Sequence, residues 1–154
     1  MRRDGRLSGV LHVLLHMAEF KKPVTSERLA AVMQTNPVVV RRVMAGLRDL
    51  GIVASGKGHG GGWTLSCDLD GVTLHDVYLA LGAPGIFAMG HRSEAPECLV
   101  EQAVNAALGT VFEDAERLLL SRLGDVTLGQ ISVDFRARLA KRGPDQQEAS
   151  LHDA

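Results

Sequence analysis

Three arginines, Arg41, Arg42 and Arg48, sit at helical spacing among the apolar residues Val40, Val43, Met44 and Leu47. Guanidinium groups presented from one side of a helix can fork onto guanine O6 and N7 or fix register on phosphates. Lys57 and His59 follow shortly after, inside the glycine-rich stretch Gly56 to Gly62. A second set is His12 and His16, four residues apart with Ser8 one turn earlier, so both imidazoles can face one point. That spacing suits a metal ion but needs at least one further ligand. Two cysteines, Cys67 and Cys98, complete the reactive groups. A cysteine at a helix N-terminus has its thiolate favoured by the helix dipole, which would make Cys98 reactive toward an oxidant or electrophile. No paired carboxylates, Ser-His-Asp set or metal-hydrolase motif falls at helical or strand-end positions, which argues against catalysis.

Each of these has a plainer alternative. A charged helix face is usually just solvated, and two histidines flanking a core usually hydrogen-bond locally; for His12 and His16 the local reading is the favoured one. Cys67 is expected to pack as a small hydrophobe. Gly56, Gly58 and Gly61 match the G-x-G-x-x-G dinucleotide pattern, but that pattern works only where the glycine turn opens a helix. Here Trp63-Thr64-Leu65 reads as a strand, so the glycines are taken to let the loop approach another backbone closely.

Apolar periodicity predicts the elements that position these groups. Leu7, Val10, Leu11, Leu14, Leu15 and Ala18 recur at i, i+3, i+4 and i+7, giving a first helix over residues 7–19 that carries both histidines. Thr25 caps a short second helix with Glu27 in its first turn and Leu29, Ala30, Val32 and Met33 inward. Asn36 caps a third, and Pro37 occupies its first position, where a missing N–H costs nothing. Val40, Val43, Met44, Leu47 and Leu50 form its apolar stripe, and Gly51 ends it in the left-handed conformation. Val38, Arg41, Arg42, Ala45 and Arg48 must therefore point the other way. Two short helices with a tight link, the second presenting arginines outward, describe a helix-turn-helix. Thr35, Asn36 and Val38, at the start of its second helix, are candidates for a phosphate or a thymine methyl.

Ile52-Val53-Ala54 and Trp63-Thr64-Leu65 read as the two strands of a hairpin, with Lys57 and His59 on its tip. The fold class is thus mainly α: a winged helix-turn-helix with a small β-hairpin wing and a long C-terminal dimerisation helix. Thr73 and Asp76 have capping-box spacing and open a helix over residues 74–81. The Gly- and Pro-rich stretch 82–96 is expected to be a loop and a possible sensor region. Residues 97–123 hold the longest helical pattern, with Val100, Val104, Ala107, Val111, Ala115 and Leu118 on one near-heptad seam and Leu108, Phe112, Leu119 and Leu123 beside it. That is more apolar surface than one small domain covers, and a symmetric dimer is the simplest way to bury it. Thr127 and Gln130 cap a last helix reaching about Lys141. The expected division is 1–81 for the winged helix, 82–96 for the loop, 97–142 for the dimerisation helices and 143–154 for a disordered tail.

The 154 residues are 45% apolar and 23% charged, the composition of one folded domain with a helical appendage. The net charge of -1 hides a polarity: residues 1–66 carry 10 basic against 4 acidic side chains, net +6, and residues 67–154 carry 7 against 14, net -7. Such asymmetry points to a polyanion as the partner of the N-terminal part. No apolar run approaches the roughly 18 residues of a bilayer span, so no membrane partner is expected. Two cysteines make no disulfide framework, and reduced thiols in the cytoplasm are the expectation.

The segment Asn36-Pro37-Val38-Val39-Val40-Arg41-Arg42, the step Leu47-Arg48 to Gly51-Ile52-Val53, and the wing Gly58-His59-Gly60-Gly61-Gly62-Trp63-Thr64-Leu65 resemble the Rrf2 family of bacterial winged-helix regulators. That family includes the IscR-type and NsrR-type repressors. Helix 1, Thr73-Leu74-His75-Asp76-Val77 and Val126-Thr127-Leu128 also fall where the family places them, so the resemblance spans nearly the whole chain. It implies a homodimeric transcription factor on double-stranded DNA, in most members a repressor, dimerised by the long helix. Several members sense iron–sulfur status, nitric oxide or redox state through a cluster held by three cysteines before that helix. Only Cys98 occupies that stretch here, so the chain resembles a cluster-free branch and no cofactor is expected; a metal or an atypical cluster is the lesser alternative. In the family's dimers helix 1 lies near the partner's sensor region, which would bring Cys98 or His91 within range of His12 and His16. Two rival readings stand: a thiol- or metal-responsive sensor working through Cys98 or His12 and His16, and a partner-binding winged helix without DNA function.

Overall fold

The computed structural model describes residues 5–20, 22–87, 89–91 and 97–141. Its elements run α1 (Arg6–Glu19), α2 (Ser26–Val32), α3 (Pro37–Asp49), β1 (Val53–Gly56), β2 (Gly62–Leu65), a single 3-10 turn (Leu69–Gly71), α4 (Leu74–Ala80), α5 (Leu99–Gly124) and α6 (Leu128–Ala140). Side-chain caps set where the helices start. The Arg28 amide donates to Thr25 Oγ1 at 3.3 Å and the Val39 amide to Asn36 Oδ1 at 3.0 Å. Thr73 with Asp76, and Thr127 with Gln130, form complete capping boxes at the heads of α4 and α6. Each satisfies two otherwise orphaned amides. Residue 88, residues 92–96 of the expected loop and the expected tail lie outside the described residues.

The core is made where α1, α2, α3 and α4 meet, with Leu14, Val40, Met44, Leu47 and Val77 fully enclosed. The third-helix stripe is the buried face as predicted, except that Leu50 lies past the last turn and is 53% exposed. On α1 the buried set is Val10, Val13, Leu14 and Met17, itself an i, i+3, i+4, i+7 series. The predicted stripe is therefore rotated: Val13 and Met17 face inward, and Leu15 and Ala18 are only half-buried.

The hairpin pairs Val53 with Leu65 and Gly56 with Gly62. Both strands run further toward the tip than predicted, and Ile52 is a buried core residue ahead of the strand. Val24 joins the far side of β2 through paired backbone bonds with Trp63 of 3.0 and 2.8 Å. Gly62 makes that approach possible, because a Cβ there would stand 2.8 Å from the Val24 carbonyl oxygen.

The sequence grouped α6 with α5, but the first turn of α6 docks on the winged-helix body. Leu128 is fully buried in its core, its amide donates to Val72 O at 2.9 Å, and Gly129 closes so tightly on Asp70 that a Cβ would overlap the carboxylate. By contrast, none of the 26 residues of α5 is buried, although the helix packs along α4. No described helix is long and apolar enough to cross a membrane.

Candidate nucleic-acid interface

The link between α2 and α3 turns at Gln34, whose φ of 50° lies in the left-handed region, while the Thr35 amide closes onto Ala30 O at 3.0 Å. This leaves Thr35 half-buried and commits the Asn36 side chain to its cap. Beyond it Val38, Arg41, Arg42 and Arg48 all stand in solvent, opposite the stripe that enters the core. Arg41 Nη2 pairs with Glu27 Oε1 at 2.9 Å and Arg48 Nη2 with Asp49 Oδ1 at 3.1 Å. Arg42 has no such partner among the described residues. The Glu27 carboxyl sits below the usual carboxylate range, chiefly through its own backbone amide at the head of α2, with Thr25 and Arg41 adding to it. It is therefore ionised at neutral pH.

Lys57 and His59 are exposed on the five-residue tip between the strands, where Gly58 and Gly60 take φ of 87° and 79°. The wing is tied to the helix-turn-helix rather than hanging from it. Trp63 Nε1 donates to Ser26 Oγ at 3.0 Å, and Ser26, in the first turn of α2, is buried. Helix-turn-helix and wing are thus held on one frame, the arrangement a duplex-reading winged helix needs.

His12 and His16 do face one point, and they face each other, with Nε2 to Nε2 at 2.8 Å. One ring donates and the other accepts. His16 stacks on Phe20 and tilts against Phe135 of α6, and its Nδ1 is buried with no hydrogen-bond partner among the described residues. Burial first, then His12, hold the His16 imidazole below its ordinary 6.5, against an opposing pull from Glu19. The pair borders an open recess of about 270 Å³ with Leu15 and Phe135. A metal on both Nε2 atoms would leave His16 Nδ1–H buried and unpaired, whereas ligating imidazoles ordinarily donate that proton to an acceptor. No group of three or more His, Cys, Asp or Glu residues is placed to hold a metal among the described residues.

Cys98 is the N-cap residue of α5 and exposed, and the amides of Glu101 and then Val100 hold its thiol below the ordinary value. It shares an open recess of about 390 Å³ with His91, Glu101 and the seam residues Val100 and Val104. Cys67 is half-buried against the core, and burial pushes its thiol up. Along α5, Val100, Val104, Val111 and Leu118 project into solvent, Ala107 is exposed and Ala115 half-buried. Phe112 beside the seam packs on Phe87 and His91.

Sequence reasoning missed Ser26 as the anchor of the wing and Glu27 as the partner of Arg41. Thr25 and Glu27 were legible as helix-start residues, but no local pattern ties residue 26 to residue 63.

A family model described as Rrf2, iron-dependent transcriptional regulator, matches residues 4–134. YwnA of Bacillus subtilis, assigned as an HTH-type transcriptional regulator, is 29% identical over 128 residues, covering 83% of this chain and 95% of its own. Among solved structures, a transcriptional regulator from Lactobacillus plantarum superposes with a TM-score of 0.68 at 24% identity, covering 95% of this chain and 97% of that one. IscR of T. potens gives 0.62 at 19% identity, covering 93% of each. These two likenesses concern the fold. The family description names iron, yet the donor set does not fit a group held by three thiolates. Cys67 and Cys98 are the only cysteines, one packed against the core behind β2 and the other exposed at the head of α5. Because the match runs through helix-turn-helix, wing and long helix alike rather than through one motif, the chain belongs to the Rrf2 family of transcriptional regulators, and its relatives and fold are those of regulators, not enzymes.

Proposed function

We propose that this regulator is a homodimeric repressor, acting in the cytoplasm, that seats α3 in the major groove of a roughly palindromic operator and rests the wing on the adjacent backbone or minor groove. The observation that carries the reading is the solvent side of α3, where Val38, Arg41 and Arg42 stand exposed, together with the exposed Lys57 and His59 on the tip of a wing that Trp63 ties to Ser26 of α2. The bare apolar seam of α5 supports the dimer, since a helix about 39 Å long with no buried side chain is incomplete alone. Repression is the mode that the family resemblance implies.

The test is an anisotropy titration against duplexes selected from a random pool, repeated across salt. Each phosphate neutralised lowers the logarithm of affinity by about 0.9 per logarithm of salt, so a steep slope is expected, and a flat one would refute DNA binding. Val111 is 60% exposed, so Val111→Glu should leave the protomer folded, halve the mass in sedimentation velocity and weaken operator binding. A full-strength dimer in that variant would remove the α5 seam as the interface.

A second reading, a thiol signal carried by Cys98, is favoured by its lowered thiol beside Val100 and Val104. An adduct there would crowd the seam that joins the protomers. Loss of operator affinity on alkylation of Cys98, absent in Cys98→Ser, is its expected signature.

A further inference from the structure

The outward face of α3 offers more candidate contacts than free side chains. Asn36 is spent on its cap, and Arg48 lies on Asp49 at 3.1 Å. Arg41 reaches back to Glu27 on α2 at 2.9 Å. Both members of that pair are more than half exposed, so the bond is weak and screened by solvent. It nevertheless gives Arg41 a direction, toward the helix that crosses the phosphate backbone when a helix-turn-helix docks. An ionised Glu27 would repel that backbone unless a cation accompanied it, and Arg41 is that cation.

Val38 and Arg42 differ from Arg41. Val38 stands in the first turn of α3 with 69% of its surface in solvent, while Val40, Val43 and Met44 supply the core. Arg42 is exposed and without an ion pair or hydrogen bond among the described residues. The two are four residues apart, so they share one face of the helix at a rise of about 6 Å. In the major groove the apolar feature open to an isopropyl group is the thymine methyl, and an unencumbered guanidinium matches O6 and N7 of guanine.

We propose that Val38 and Arg42 are the base-reading pair, selecting a thymine and a guanine within about two base pairs of each other in each half-site, and that Arg41 is a positioning residue that neutralises Glu27 at the backbone without reading sequence. This rests on the DNA-binding reading above.

The test starts from duplexes that the full-length wild-type protein selects from a random pool, remade with single-base changes, with uracil for thymine and with 7-deazaguanine for guanine. A wrong base in place of the guanine should weaken wild-type binding by about 5-fold to 150-fold, and removing N7 alone or the thymine methyl should weaken it by less. Val38→Ser, which leaves no methyl group at that position, should be indifferent to the uracil exchange, and Arg42→Ala, which leaves no donor, should be indifferent to 7-deazaguanine. Arg41→Ala should weaken every duplex by the same factor and reduce the salt slope by about 1. Far-ultraviolet circular dichroism confirms that each variant is folded. Base preference that survives in Val38→Ser and Arg42→Ala, or that relaxes at one position in Arg41→Ala, overturns this assignment alone. A pool from which the wild type selects nothing overturns the DNA-binding reading and the assignment with it.

Discussion

Of the glycines inside helices, where alanine is the better helix former, Gly9 and Gly46 have surroundings that give the same substitution opposite signs. At Gly9 in α1 an added Cβ would meet the end of the Met33 side chain at 3.8 Å, an ordinary contact with a flexible neighbour. Gly9→Ala should therefore gain about 0.5–1 kcal/mol of helix propensity. At Gly46 in α3 the added Cβ would fall far inside contact with the Ala80 carbonyl oxygen and 3.2 Å from its carbon. That obstacle is backbone at the end of α4 and cannot rotate away, so α3 and α4 must part and loosen the packing of Val43, Met44 and Leu47. Overpacking of this kind costs about 1–3 kcal/mol, and after the propensity gain Gly46→Ala should lose about 1–2 kcal/mol. For a chain of this length about 1 kcal/mol moves Tm by roughly 2–4 °C. Calorimetric melts at one fixed protein concentration should place Gly9→Ala about 2 °C above wild type and Gly46→Ala about 3–6 °C below it. Gly46→Ala melting at or above wild type would refute the close crossing of α3 on α4, and with it the account of how α3 is seated.

The two thiols should also part company. Iodoacetamide at neutral pH is expected to modify Cys98 well before Cys67, with the pH midpoint of Cys98 labelling below that of an ordinary thiol, as read by peptide mass spectrometry; equal rates would contradict the roles of the Glu101 and Val100 amides. His16 should make the fold acid-sensitive. Its folded pKa lies below 6.5 while the unfolded value is about 6.5, so the unfolded chain takes the proton first and stability falls as pH drops through that value toward the lower folded one. Tm should decline between pH 7.5 and 5.5, and His16→Phe, which keeps the aromatic packing, should flatten that decline; an unchanged pH profile in the variant would exclude His16 as its source.

Much of the regulator could be read without coordinates because its signals act over a few residues. Thr25, Asn36, Thr73 and Thr127 accept from amides three residues on, so the heads of four helices follow from residue type alone. The stripe Val40, Val43, Met44 and Leu47 likewise obliges Val38, Arg41 and Arg42 to face away from it, since one helix turn decides both sides at once. On α1 the same rule was less decisive. Apolar residues cover more than one side of that helix, and only the neighbours it meets select Val13 and Met17 over Leu15 and Ala18.

Local chemistry in this chain specifies where helices begin, which faces are apolar and which basic groups are left outward, because each of these is settled within about one turn. Folding alone selects the partners: Glu27 for Arg41 across 14 residues, Ser26 for Trp63 across 37, Ala80 against Gly46, and Asp70 beneath Gly129. Those pairings depend on how helices cross, and crossing is governed by the shape of a core assembled from distant segments, which no pattern over a handful of consecutive residues encodes.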